Sequence, residues 1–504
     1  MVLPSFAQQT GGTLIIGRGA DSVTLSFYAS AAPDAEVMGH VVETLFRLTP
    51  DGKIEPLLAE SQRLSADAKT MTIRLRRGIR FHDGTAFDAA ALKWNLDFFR
   101  NPANAVPFRA ILLGELSDVT VVDSNTVQLS LARPFVPLLS HLTHNFLGIH
   151  SPAAVERGGG MRPPTGEPYG RAPVGTGPFK FKEWVRGDRI VLERNPDYWG
   201  SEKPRLDQIV FRTIPDSGAR VLALEAGQIH VARAIPPRET SRLAVNRALR
   251  VDRAPSVRTI FFGFNVTKKP FDDVRVRQAV NYAVNKRAIA QTILGGAVRV
   301  SDAPISPGVW GYAQTMTYPY DLQKAKQLLA EAGYSSGISV TIHHPTGRYL
   351  EDAPIAAAIQ AQLREAGINM RLATLEWATY LAFTGRPVDQ NEVQAYMLGW
   401  GTVTGDADYG LFSLFHSSQW TPAGFNRGFY KNPQVDALLE QARGETDATK
   451  RAAMYKQAMD IIMKDAPWLF LHSESQLTGV RREVQGLIVH VTERMMAHFA
   501  SLNR

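Results

Sequence analysis

Cysteine is absent from the 504 residues, which excludes disulfides, thiolate metal sites and cysteine nucleophiles. Long apolar runs are missing too: nothing approaches the ~20 apolar residues that a membrane-crossing helix needs. The zinc-protease string His-Glu-x-x-His does not occur, so a hydrolase reading lacks that support. There is no Lys/Arg block either. The densest basic group, Arg74, Arg76, Arg77 and Arg80, has no interleaved aromatics, which argues against nucleic acid as a partner. No internal repeat or low-complexity segment stands out.

What is present is an ordinary globular composition, 44% hydrophobic and 21% charged, in a chain too long for one core. Basic residues outnumber acidic ones 56 to 48, a formal charge of +8 that favours anionic ligands or partners. The opening Met1–Gln9 has small residues at Ser5 and Ala7, the spacing of a signal-peptidase site, and is expected to be the remnant of a secretory signal.

Periodicity predicts alternating helices and strands in the central and C-terminal parts. From Asp321, the residues Leu322, Ala325, Leu328 and Leu329 recur at helical spacing until Gly333; Ile338, Val340 and Ile342 then alternate with polar residues as in a strand. After a polar loop, His343 to Asp352, a helix with Ile355, Ile359 and Leu363 on one face leads past Gly367 into a strand at Ile368, Met370 and Leu372. This is a βαβ pattern, whose strands run parallel and whose carboxyl ends border ligand crevices. The loop around Arg348 lies at one such end. Trp400 lies at another, since Glu392 to Trp400 reads as a strand. A helix capped by Asp272 or Asp273 carries Val276, Val280, Ala283 and Val284 on one stripe and reads as scaffold. The N-terminal third is richer in short β-branched runs: Thr13 to Ile16, Thr70 to Leu75, Val119 to Val122 and Thr126 to Leu131. Arg157 to Gly177, rich in Gly and Pro, reads as a loop or connection.

Several strings carry a family resemblance: Leu75 to Gly84 (LRRGIRFHDG), Gly175 to Phe179 (GTGPF), Asn195 to Trp199 (NPDYW), Arg275 to Ala279 (RVRQA), Gly399-Trp400 and Asn432 to Asp436 (NPQVD). The Gly175 to Phe179 string is not a phosphate loop, because Pro178 removes a backbone donor that a phosphate cradle needs. In this order the strings resemble the extracellular solute-binding proteins of family 5, whose members bind dipeptides, oligopeptides, glutathione and nickel. The resemblance implies an α/β, two-lobed type II periplasmic binding fold that closes as a hinged clamp. Its expected boundaries are 1–44 and 178–258 for the first lobe, 45–177 for a β-rich insertion, 259–480 for the second lobe, and 481–504 for a C-terminal return to the first. It also implies a non-enzyme that works without a cofactor, as a monomer, with the permease subunits of an ABC importer. With no cysteine to acylate, the expected location is free in a periplasm.

The ligand residues follow from the resemblance and from strand-end placement together. Trp400 is expected as an aromatic wall, and Arg348, beside Tyr349, as the fork for a ligand carboxylate. In dipeptide binders an Asp pairs with the ligand's amino terminus, and the matching position here is Val403, a departure from dipeptide recognition. Thr404, Asp406 and Asp408 remain as pocket acceptors or helix caps. The run Trp400 to Asp408, with Phe425-Asn426-Arg427, resembles the glutathione-binding branch. The expected ligand is a small peptide or peptide-like conjugate of glutathione or opine type; a nickel chelate or an oligopeptide is the alternative. Tyr28 and Ser30, with Ser22 and Thr24, belong to the loop after the first strand, and Asn145 and Phe146 to the insertion; these complete the candidates. The pairs His141/His144 and His343/His344 raise metal binding, but without a third ligand they read as packed or solvated histidines. A chaperone remains as another class.

Overall fold

The computed structural model describes residues 11–503; the expected signal remnant at Met1–Gln9 falls outside them. Its spine is an 11-stranded mixed sheet. One half holds Phe179–Val185, Arg189–Arg194, Gln208–Thr213, Thr13–Arg18 and Val231–Ala232; the other holds Ala395–Gly401, Ile338–His344 and Ile368–Thr374. Two long antiparallel strands, Leu249–Phe264 and Trp468–Arg481, run between the halves and belong to both.

The βαβ pattern forms as its periodicity predicts. Ile338–His344 and Ile368–Thr374 pair in parallel around the helix Asp352–Glu365, which buries Ile355, Ile359 and Leu363. Asp321 caps the helix Leu322–Glu331 by accepting from Lys324 N, and Asp273 caps Val274–Ala283 by accepting from Arg275 N. The β-branched runs of the N-terminal third form a separate antiparallel sheet in the order Ala59–Leu64, Thr70–Leu75, Thr126–Leu131, Leu116–Asp123. The Gly/Pro-rich stretch 157–177 is mostly loop, with a short hairpin of Met161–Arg162 and Glu167–Pro168.

Three of the sequence strings turn out to be joints around one buried acid. Glu43 accepts from Thr176 Oγ1, Tyr198 OH and Trp199 Nε1, each at 2.7 Å, and burial pushes its carboxyl up to about 7. His82 closes the joint through Nε2 on the Gly177 carbonyl, 2.9 Å. These residues tie the small sheet to the large one and take no part in the cleft.

The crossing strands are not continuous ladders. Pro255 pairs with Ser475 and Thr259 with Ser473, so Ser256, Val257 and Arg258 oppose Glu474 alone. An unequal count of this kind bends and twists a strand pair. The C-terminal segment passes the same point: Glu493, with φ of +67°, hydrogen-bonds both Ser256 Oγ and Arg258 Nε.

Candidate ligand-binding cleft

A cavity of about 480 Å³ opens where the two halves face each other. One wall comes from the first half: Ser30, Ala31, Ala32 and Ala35 after the first strand, Phe108, and Thr143 to Phe146. The opposite wall is made of strand ends and loops of the second half, Arg348, Tyr349, Trp377, Gly399 to Gly401, Val403, Tyr409, Phe425 and Arg427. Thr492 and Arg494 close the floor.

Arg348 is fixed by local chemistry. Gly347 takes φ of +73°, and the Asp352 carboxylate accepts the backbone N–H groups of Gly347, Arg348 and Tyr349 at 3.1, 2.9 and 3.1 Å. That clasp turns the loop so that the guanidinium lies over the Tyr349 and Trp377 rings, 4.7 and 5.2 Å from their centroids. Among the described residues the guanidinium has no hydrogen-bond or ion-pair partner, and its Nε is buried without one. Burial, reinforced by the charge of Arg258, pulls its pKa below the ordinary arginine value.

Trp400 sits with Phe108, Tyr409 and Phe425 at centroid distances of 6.3, 5.2 and 5.2 Å, forming one aromatic wall. Gly399 precedes it out of necessity, because a Cβ there would lie 2.8 Å from the Tyr349 ring. Arg258 approaches from the crossing strand, giving Nη1 to the Gly399 carbonyl at 2.9 Å and Nε to Glu493 at 2.6 Å. Burial works against its charge, but Glu493 outweighs burial and holds the guanidinium more firmly protonated.

Two features define the lining chemically. It contains four arginines, Arg258, Arg348, Arg427 and Arg494, and no aspartate, glutamate or lysine. In addition, the buried lining atoms that lack a partner are all donors: the Nε atoms of Arg348 and Arg427 and the indole Nε1 atoms of Trp377 and Trp400. Buried donors without acceptors are costly and rare in a finished core. A guest bearing acceptor oxygens would satisfy them.

The matching family model, bacterial extracellular solute-binding proteins, family 5, covers residues 53–422. A glutathione-binding protein, GsiB of Pectobacterium atrosepticum, is 34% identical over 481 residues, covering 94% of this chain and 91% of that protein. The chain belongs to this family. The periplasmic binding protein DppA from Helicobacter pylori, solved with the peptide STSA, superposes with a TM-score of 0.90 at 30% identity over 98% of this chain and 99% of that one. AgaA from A. tumefacien R10, solved with agropinic acid, gives 0.86 at 27% identity over 98% and 99%. The fold of this family 5 protein is therefore the two-lobed type II periplasmic binding fold.

Of the residues singled out in the sequence, Ser30, Asn145, Phe146, Arg348, Tyr349, Trp400 and Val403 lie together on the cleft lining. Four others do not. Tyr28 points away and donates to the Asn104 carbonyl at 2.6 Å, and Thr404 is buried beneath the lining. Asp406 caps the helix Ala407–Phe415 and pairs with Arg451 through two bonds of 2.7 and 2.8 Å. Asp408 is fully buried between Arg443, 3.1 Å away, and His141, 3.3 Å away. These acids are consumed internally, so the cleft receives none of their charge. Ser22 and Thr24 are likewise buried, bonded to backbone carbonyls.

The histidines are tied up as packing and bonding partners: His144 Nε2 meets Tyr409 OH at 2.9 Å, and His344 bonds Pro345 O and Thr374 Oγ1. Among the described residues no cluster of three His, Asp or Glu is placed to hold a metal ion. Gly333 to Gly337 matches the hydrolase string Gly-x-Ser-x-Gly. However, Ser335 is exposed in a helix-to-strand turn, the reverse of the strand-to-helix order that a nucleophile elbow needs.

Sequence reading missed Arg258, Arg494 and Trp377 as lining residues, and Asp352 as the clasp. Only Asp352 left a local signal, an acid four residues beyond Arg348 at the start of a helix.

Proposed function

We propose that this protein captures an anionic, peptide-like amino-acid conjugate of glutathione or opine type in a periplasm and delivers it to the permease of an ABC importer, without chemistry on the ligand. The observation that carries this reading is the lining of four arginines and unpartnered N–H donors with no acid. A ligand with two carboxylates matches that field. The forked guanidinium of Arg348 suits one of them bidentately, while Trp400 and Phe425 cover an aliphatic stem. Val403 supplies no countercharge for a ligand ammonium, which disfavours simple dipeptides.

The relatives fit this choice: GsiB is named for glutathione, and AgaA was solved with agropinic acid. Closure about the break in the crossing strands would exclude water and strengthen each polar contact. An affinity between micromolar and nanomolar corresponds to about 8–12 kcal/mol.

Calorimetry with glutathione, mannopinic acid and their carboxamide analogues tests the reading. The acids are expected to bind and the amides to fail. Equal binding of a fully amidated analogue would overturn it, as would turnover of any bound compound.

A further inference from the structure

Glu474 stands where the crossing strands lose register, opposite the three residues Ser256 to Arg258. Two carboxyls therefore approach one guanidinium. Glu493 takes the hydrogen bond from Arg258 Nε at 2.6 Å, while Glu474 Oε2 stays 3.6 Å from the same atom, outside bonding distance. The other oxygen of Glu474 accepts from Leu350 N at 3.2 Å, in the loop that carries Arg348. Behind the ligand cleft, Glu474, Glu493 and Arg348 line a second, polar cavity of about 70 Å³. Arg18, Glu36, Arg220 and Arg233 complete its charged lining, and these are the charged groups that face Glu474 from the first half.

Most of those outer charges are already matched. Arg233 pairs with Glu36 at 2.9 Å and donates to the Glu493 carbonyl; Arg18 bonds Asp21 and Pro33 O; Arg220 donates to four backbone carbonyls, and the charges of Asp216 and Asp352 offset its own. The inner group is left with two cations, Arg258 and Arg348, and two acids, Glu474 and Glu493. A ligand carboxylate adds a third negative charge where little water screens it. Adding one proton restores neutrality, and Glu474 is the acid positioned to take it, because Glu493 is committed to Arg258.

We infer that Glu474 is a positioning residue that couples the uptake of one proton to the capture of an anionic ligand, acting through Arg258 and Arg348. The inference rests on the anionic-ligand reading above. In the empty cleft, burial and then the neighbouring charge of Glu493 already raise the Glu474 carboxyl, whereas Arg258 holds Glu493 low. A second anion drives Glu474 further in the same direction. The sign follows: where the bound form holds more protons than the free form, affinity falls as pH rises. Capture would be tightest in mildly acidic surroundings and loosen as the surroundings turn alkaline.

The test is calorimetry with S-methylglutathione and with mannopinic acid at pH 6, 7 and 8, each in phosphate and in Tris, whose ionisation enthalpies differ. Proton uptake rising toward one per ligand is expected, with Kd weakening by up to about tenfold per pH unit and so by no more than about a hundredfold between pH 6 and pH 8, the limit set by one linked proton. The Glu474→Gln variant is expected to flatten the profile and abolish the buffer dependence. A flat wild-type profile with no buffer dependence overturns the inference while leaving the anionic ligand intact, and needs no variant to fold. A pH profile that persists unchanged in Glu474→Gln overturns it as well. If neither probe binds at any pH, the anionic reading fails and this inference fails with it.

Discussion

Two sets of buried arginines in this fold differ in what answers them. Arg443 and Arg451, beneath the cleft, meet Asp408 and Asp406 at 3.1 and 2.7 Å. Arg348 and Arg427, on the lining, meet no acid among the described residues. A buried charge is tolerated when a partner and hydrogen bonds answer its desolvation. The first set is thus finished as charge balance, through two hydrogen bonds at Arg451 and through ion pairing without a hydrogen bond at Arg443. The second is a set of donors waiting for an acid from outside.

The largest effect should come from breaking the finished set. Asp408→Asn leaves Arg443 with only the longer pair to Glu115 at 3.8 Å and is expected to cost about 3 kcal/mol of stability by chemical denaturation. Burial opposes the Asp408 charge, but Arg443 and His141 win and hold its carboxyl below the usual value. A lowered acid stabilises above its unfolded pKa and loses that contribution as pH falls through its folded one. The penalty of Asp408→Asn should therefore be constant from pH 5 to 8 and shrink only below about pH 4.

Arg348→Ala should behave in the opposite way. Ligand-free stability should change little, since Arg348 has no hydrogen-bonded or ion-paired acid to lose and offsets Glu474 only at a distance, while binding of a dicarboxylate weakens by about 2–5 kcal/mol in calorimetry. A stability loss as large as that of Asp408→Asn would erase the distinction between the two sets.

Val403→Asp supplies the cleft with the acid it lacks. Dicarboxylate affinity should fall by about 1.4 kcal/mol, or tenfold, and an unmodified dipeptide should gain by a similar factor, measured as competing isotherms. The smallest change is Trp400→Phe, which keeps an aromatic wall and removes the unpartnered Nε1 donor with part of the ring, for about 1 kcal/mol of ligand binding.

The same contrast explains how far the sequence could be read. Trp400 was legible as a cleft residue because a strand fixes direction, its carboxyl end opening toward the crevice, and Val403 through the family resemblance alone. Three residues further the chain turns into the helix Ala407–Phe415, and local pattern no longer tells whether an acid faces ligand or an arginine from a distant helix. Asp406 and Asp408 were legible as polar and as possible caps, and Asp406 is one. Their partners Arg451 and Arg443 lie 45 and 35 residues away in sequence, on helices whose packing no local period encodes. Tyr28 failed for the same reason, its hydroxyl being claimed by Asn104.

By itself the sequence determined the class of element in each stretch, the βαβ unit, the helix caps, the absence of thiol chemistry and the family. All of these follow from periodicity, residue type and strings of adjacent residues. Only the tertiary structure decided which charges are answered, since that depends on distances between residues far apart in the chain. Arg258 from a crossing strand, Arg348 from a loop, and Glu474 and Glu493 from two later passes acquire a joint meaning only where the break in the sheet brings them together, in a space too dry to ignore a single unbalanced charge.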